Sequence, residues 1–206
     1  MTVELSELGR SRIVTVSGAT TPADLQGAIA ATSIDPDAAL KCLPPAQTTP
    51  YTRVVLHQSE SLEVLLMRWG SHRACAVHDH GEDTYGWVRV LSGRALHRVF
   101  RRKRRHDLPV CHLEERMTPG DMVFAPSGMI HQMENAEADP LITLHYYQPP
   151  MTGMRIYDLN CRKGCVVTDD SGAWWPADSS NIVREFALGT EGSPSGSMPR
   201  VMGNDQ

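Results

Sequence analysis

The stretch Val77-His78-Asp79-His80-Gly81 decides how this chain is read, together with Pro126-Ser127-Gly128-Met129-Ile130-His131 further along. Side chains of an extended segment alternate between faces, so His78 and His80 point to one side and Asp79 to the other. A third imidazole, His131, delivered from another strand would close a three-nitrogen metal site. Imidazole suits several divalent metals, so the donor set alone names a class of site rather than one ion. A lone histidine on a strand is an ordinary polar residue. The paired spacing, joined by a third histidine in its own Pro- and Gly-framed run, is what turns the reading toward a metal.

The surroundings read as strands. Apolar and β-branched runs recur at 51–57, 62–69, 85–91, 95–100, 122–125 and 141–147, separated by Gly, Pro, Ser, Asn and Asp. That texture, held from Tyr51 to about Trp175, is the pattern of an all-β sandwich or barrel. Ser92-Gly93 between two runs reads as a hairpin turn. Neither a βαβ alternation nor a glycine-rich phosphate loop occurs, which removes most nucleotide-binding folds.

Residues 1–50 have a different texture from the strand-rich region. Thr21-Pro22-Ala23-Asp24 reads as a helix start, with Leu25, Ile29 and Ala30 on one face; a second short helix is expected over 35–43, entered at Asp35-Pro36 and stopped by Pro44-Pro45. The expected division is therefore a helical arm over 1–50, a barrel over 51–187, and a disordered tail over 188–206, where Gly, Ser and Pro leave little to bury.

Composition bounds the partners. With 41% hydrophobic and 21% charged residues and a formal net charge of −4, nothing global points to nucleic acid. The run Arg101-Arg102-Lys103-Arg104-Arg105-His106 lacks interleaved aromatics and is followed by Asp107, Glu114 and Glu115, so it reads as a solvated hairpin tip. No apolar run approaches the roughly 20 residues of a membrane span. The first twenty residues mix Glu4, Glu7, Arg10 and Arg12 among their apolar positions, unlike a secretory leader, and a cytoplasmic location is expected. The expected state is a monomer or weak homo-oligomer without nucleic-acid or membrane partners. Cys42, Cys75, Cys111, Cys161 and Cys165 are odd in number and form no CxxC pair, which argues for reduced thiols over a disulfide framework or structural zinc.

Two motif strings carry a resemblance. Gly120-x5-Pro126-x-Gly128-x2-His131-x3-Asn135 matches the second cupin motif position for position, and Gly70-x7-His78-x-His80, with Gly93 beyond, resembles the first with a longer opening. The resemblance implies a cupin double-stranded β-helix, a small jelly-roll barrel holding a metal. Where cupins usually place a glutamate ligand this chain has Gly86, and Glu82 and Asp83 fall too early. Three neutral imidazoles without a carboxylate leave a divalent ion its full charge, which favours an anionic ligand such as a thiolate.

Four stretches further resemble the cysteine dioxygenases: Tyr51-Thr52-Arg53, Met67-Arg68-Trp69-Gly70, Val77-His78-Asp79-His80 with Trp87 to Gly93, and Thr143-Leu144-His145-Tyr146-Tyr147-Gln148-Pro149-Pro150. This likeness implies an oxidoreductase in which His78, His80 and His131 hold Fe(II), Arg53 and Tyr51 receive the substrate carboxylate, and Thr143, His145 and Tyr147 form a catalytic hydroxyl–imidazole–phenol chain. The implied reaction takes L-cysteine and O2 to cysteine sulfinic acid. Relatives acting on 3-mercaptopropionate tend to carry Gln at the position of Arg53, which favours cysteine over that acid or another small thiol. A non-enzymatic metal- or ligand-binding cupin is the reading of a different class. Mammalian members join a Cys in the segment after the HxH to the tyrosine; Gly86 stands there instead, so Tyr147 is expected without a thioether. The Gln148–Pro149 bond is a candidate cis peptide.

Overall fold

The computed structural model describes residues 8, 11–16, 21–45, 48–104 and 107–189. Two short helices come first, α1 (Pro22–Ala31) and α2 (Pro36–Cys42). Thr21 opens α1 with a reciprocal capping box: its hydroxyl accepts the Asp24 N–H at 3.2 Å while the Asp24 carboxylate accepts the Thr21 N–H at 2.9 Å. Asp35 caps α2 with a single bond, its carboxylate accepting the Asp37 N–H across Pro36. Leu25, Ala28 and Ile29 are the buried residues of α1. Ala30, expected on that face, lies exposed one position beyond it.

Among the described residues the strands are β1 (Tyr51–Gln58), β2 (Glu63–Trp69), β3 (Arg73–Ala74), β4 (Val77–Asp79), β5 (Tyr85–Ser92), β6 (Ala95–Arg101), β7 (Val110–Met117), β8 (Met122–Ala125), β9 (Ile130–Asn135), β10 (Leu141–Gln148), β11 (Arg155–Asp158), β12 (Lys163–Val167) and β13 (Ile182–Ala187). They form two antiparallel sheets, one ordered β1-β2-β10-β5-β8, the other β13-β12-β11-β4-β9-β6-β7 with β3 also against β9. The sheets face each other as a jelly roll without closing at their edges. The expected cupin-type architecture with an N-terminal helical arm is what the chain forms.

Strand β10 shows why the layers stack this way. All eight of its residues are buried, because both of its faces are covered. Ile142, Leu144 and Tyr146 join a core with Leu25, Ile29 and Leu43 of the helical segment, and Tyr147 joins the core between the sheets. Tyr146 ties the arm down: its hydroxyl donates to the Val14 carbonyl at 2.7 Å and lies 2.6 Å from the Thr32 hydroxyl. The inter-sheet core combines Leu65, Met67, Trp69, Val88 and Val90 from one sheet with Met133, Ile156, Cys165 and Val167 from the other.

Ser92-Gly93 is not a hairpin. β5 and β6 lie in different sheets, so the turn carries the chain across the sandwich. Gly93 adopts φ +81°, and a Cβ there would stand 2.7 Å from the Pro140 carbonyl oxygen, which is why a glycine turns this corner. The basic run does sit at the β6–β7 hairpin as far as Arg104; Arg105 and His106 lie outside the described residues, as does the expected disordered tail from 190 onward. Strand β7 was illegible in the sequence because it is an edge strand, exposed at every position except Met117, and so carries no apolar alternation. Among the described residues no helix is long and apolar enough to cross a membrane, and no disulfide joins the five cysteines.

Candidate metal centre

Antiparallel pairing of β4 with β9 sets His78 directly opposite His131, and His80 lies one residue past the end of β4. The ligating nitrogens of His78, His80 and His131 all lie within 4.8 Å of one another, and all three rings are buried. His131 Nε2 and His80 Nε2 stand 3.1 Å apart. Two nitrogens each about 2.1 Å from one ion and at right angles would stand about 3.0 Å apart, so the separation fits a shared metal. Burial, reinforced by the neighbouring imidazoles, holds the pKa of His80 and His131 well below the ordinary value, and burial lowers that of His78. The rings are therefore neutral donors. His78 Nδ1–H donates to the Ala76 carbonyl at 2.9 Å, which leaves Nε2 as its ligating atom. Among the described residues this is the only group of three His, Cys, Asp or Glu side chains placed to hold an ion. No carboxylate belongs to it.

Asp79, on the opposite side of β4, is fully buried and anchors the strand. It receives Arg155 Nε at 3.0 and 2.9 Å, the Tyr157 hydroxyl at 2.5 Å and the Gly81 N–H at 3.0 Å. The Arg155 and Tyr157 bonds come from β11 and hold the segment on which the two flanking histidines sit.

The other sheet supplies the facing wall. Thr143, His145 and Tyr147, two apart on β10, form one hydrogen-bonded chain: Thr143 Oγ1 to His145 Nε2 at 2.7 Å and His145 Nδ1 to the Tyr147 hydroxyl at 2.9 Å. Trp69 Nε1–H donates to the same Thr143 oxygen at 2.8 Å. Burial lowers the His145 pKa to about 3 and raises that of Tyr147 well above the phenol range, so the imidazole is neutral and the phenol protonated. Tyr147 meets His80 edge to face, ring centroids 4.7 Å apart.

Tyr51 and Arg53, on β1, complete the pocket with His78, His80, His131, His145 and Tyr147. Its remaining lining is apolar: Met67, Trp69, Met133, Met151, Met154 and Ala173 among them. The Tyr51 hydroxyl accepts the Ala173 N–H at 2.8 Å, and burial pushes its pKa up to about 12. Arg53 donates through Nη2 to the Asp170 carbonyl at 2.8 Å. The segment that carries Asp170 and Ala173 thus braces both residues, and Trp174 packs edge-on against Tyr51 at 5.2 Å.

Gly86 pairs with Tyr147 across β5 and β10. A Cβ at 86 would stand 2.5 Å from the Tyr146 carbonyl oxygen, 2.5 Å from Tyr147 Cδ1 and 3.0 Å from Cε1. The Tyr147 ring occupies the space that a side chain at 86 would enter. Gly86→Ala is expected to destabilise the fold by about 1–3 kcal/mol, because a backbone carbonyl cannot step aside. For a chain of this size that is a fall of roughly 2–12 °C in melting temperature, checked by thermal denaturation.

Every residue singled out in the sequence gathers at this pocket, Thr143 from behind it through His145. Two were missed. His97, buried on β6, places Nε2 3.1 Å from His131 Nδ1, and its Nδ1 lies 2.9 Å from Glu115 Oε1 on β7. His97 and Glu115 are cross-strand partners in the β6–β7 register. Alternation from Ala95 would have turned His97 inward, but its partner becomes visible only once that register is known.

Known proteins resemble the chain along the same lines. A sequence profile of the family described as cysteine dioxygenase type I matches residues 42–160. Curated relatives include cysteine dioxygenase type 1 of Danio rerio, 25% identical over 119 residues covering 52% of this chain and 56% of that protein. The Bos taurus protein of the same name is 23% identical over 112 residues, with the same shares covered. The chain thus spans about half the length of the curated relatives it matches. Among solved structures, an uncharacterized conserved protein with a double-stranded β-helix domain from Klebsiella pneumoniae is 18% identical, covering 58% of this chain and 94% of that one at a TM-score of 0.46.

Proposed function

The chain belongs to the cysteine dioxygenase type I family, and from that premise we propose that it is an Fe(II)-dependent thiol dioxygenase that converts L-cysteine and O2 to cysteine sulfinic acid. The observation that carries this reading is the meeting of two walls in one pocket: three imidazoles from one sheet, and Arg53, Tyr51 and Tyr147 from the other. Residues 51–187 are read as the catalytic barrel and 1–50 as its supporting arm.

In this reading His78, His80 and His131 would hold Fe(II). The ion supplies the dioxygen chemistry that amino-acid side chains lack. Because the three ligands are neutral, the pocket keeps the ion's positive charge and favours the thiolate form of the substrate. The sulfur gains both atoms of one O2, and the thiol proton is released. No further reductant is needed.

Arg53 serves the other end of the substrate. Its Nη2 bond to Asp170 holds the guanidinium in place and leaves the rest of the planar fork to take a carboxylate in two parallel hydrogen bonds. The β10 chain positions the phenol. Thr143, receiving the Trp69 N–H, holds His145 through Nε2, and His145 Nδ1 in turn holds the Tyr147 hydroxyl. The Tyr147 hydroxyl is thereby fixed at the pocket wall, where a substrate group can hydrogen-bond to it. The apolar methionine-rich lining keeps water away from the reacting sulfur.

Oxygen uptake by the iron-loaded protein tests the substrate. The specificity constant for L-cysteine is expected to exceed that for 3-mercaptopropionate, and the opposite order would overturn the choice of cysteine.

A further inference from the structure

Behind the candidate metal centre lies a hydrogen-bonded line that reaches the surface. Glu115 Oε1 is 2.9 Å from His97 Nδ1, His97 Nε2 is 3.1 Å from His131 Nδ1, and His131 Nε2 faces His80 Nε2 at 3.1 Å. The protons along it are set by elementary rules. An ionised carboxylate can only accept, so His97 carries its proton on Nδ1. A neutral imidazole has one N–H, so His97 Nε2 is an acceptor and must receive its hydrogen bond from His131 Nδ1–H. His131 Nε2 is therefore left with a bare lone pair, turned toward the other two imidazoles.

We infer that His97 and Glu115 are positioning residues that fix the tautomer of His131 and raise its strength as a metal donor. The inference rests on the reading of His78, His80 and His131 as ligands. A hydrogen bond passed from a carboxylate through an imidazole draws the His131 proton toward His97, giving the ligating ring partial anionic character. The site lacks a carboxylate ligand, and the relay delivers the influence of one from a distance. His97 is wholly buried, so little else can satisfy His131 Nδ1–H if it is lost. The Glu115 side chain is 43% exposed, so the outer end of the line reaches solvent.

Outer hydrogen-bond partners of metal-bound histidines commonly change metal affinity by about 10–100-fold when removed. The experiment measures Co(II) affinity, by competition with a chelator, for the wild-type chain and for His97→Leu, His97→Gln and Glu115→Gln, beside the visible Co(II) spectrum and the melting temperature of each metal-free protein. Expected is a loss of about 10–100-fold for His97→Leu. His97→Gln, which keeps an acceptor for His131 Nδ1–H, recovers part of that loss. Glu115→Gln, which keeps both rings and removes only the charge, shows a smaller loss and a shifted Co(II) spectrum at an unchanged metal-free melting temperature. Co(II) affinity of His97→Leu and Glu115→Gln within about twofold of wild type would overturn the relay, since removing such a partner costs far more. A lower metal-free melting temperature with unaltered affinity would give His97 a merely structural place and overturn it equally. Should His97→Leu fail to fold, the partly exposed Glu115 variant decides. A wild-type chain that binds no Co(II) defeats the three-imidazole reading itself, which separates the two failures.

Discussion

His131→Ala is expected to yield a folded protein that retains no stoichiometric iron and does not oxidise cysteine. Four-ligand structural metal sites are worth about 10–16 kcal/mol in apparent binding, so one ligand among a few is worth roughly 3 kcal/mol, or about a hundredfold in affinity. Here the loss removes the ring that faces His80 at 3.1 Å and leaves His97 Nε2 without its donor. The orphaned acceptor costs about 1–3 kcal/mol of stability, a fall of several degrees in melting temperature rather than unfolding. Elemental analysis after iron loading and desalting, beside circular dichroism, checks both parts. A variant that keeps its iron would remove His131 from the ligand set.

Arg53→Ala gives the second large effect, and its character differs. Arg53 lies on the opposite wall and has no contact with the imidazole cluster among its described bonds, so iron content is expected to stay at the wild-type level. What is lost is the partner of the substrate carboxylate. Truncating one member of a desolvated charge pair costs about 2–5 kcal/mol, so the specificity constant for cysteine should fall by roughly 30-fold to several thousandfold, mainly through weaker binding. Arg53→Lys should recover only part of this, because a single ammonium cannot present a bidentate fork. Unchanged affinity for cysteine in Arg53→Ala would refute the carboxylate assignment. Together the two variants separate the metal from the substrate as the thing each wall holds.

Much of this is legible in the sequence. His78 and His80 announce a shared face by spacing alone, and the Gly- and Pro-framed run before His131 marks the strand that meets them. Thr143, His145 and Tyr147 share a face by the same period-two rule, and the structure joins them in one hydrogen-bonded chain. The helix start at Thr21-Pro22 and the proline stop after Leu43 also predicted the helices closely, since local chemistry decides those ends. The Gln148–Pro149 bond is cis, as the sequence allowed.

What escaped depends on pairing between distant segments. Ser92-Gly93 has the composition of a hairpin, but whether the strands on either side pair or part company is settled by the whole sandwich. β7 hides because an exposed edge strand has no buried face to pattern. Glu115 could not be connected to the metal site without the register that sets it opposite His97. The bracing of Arg53 and Tyr51 by Asp170 and Ala173 spans more than a hundred residues of chain, with separations of 117 and 122, so no local signal could carry it.

The most direct test is to load the protein with iron, give it L-cysteine and O2, and measure bound iron, oxygen consumed and cysteine sulfinate formed in one sample. The expected result is one sulfinate for each O2, at a rate proportional to the iron bound. Iron-loaded protein that leaves cysteine untouched, or that consumes O2 while returning cystine and peroxide in place of sulfinate, would contradict a thiol dioxygenase.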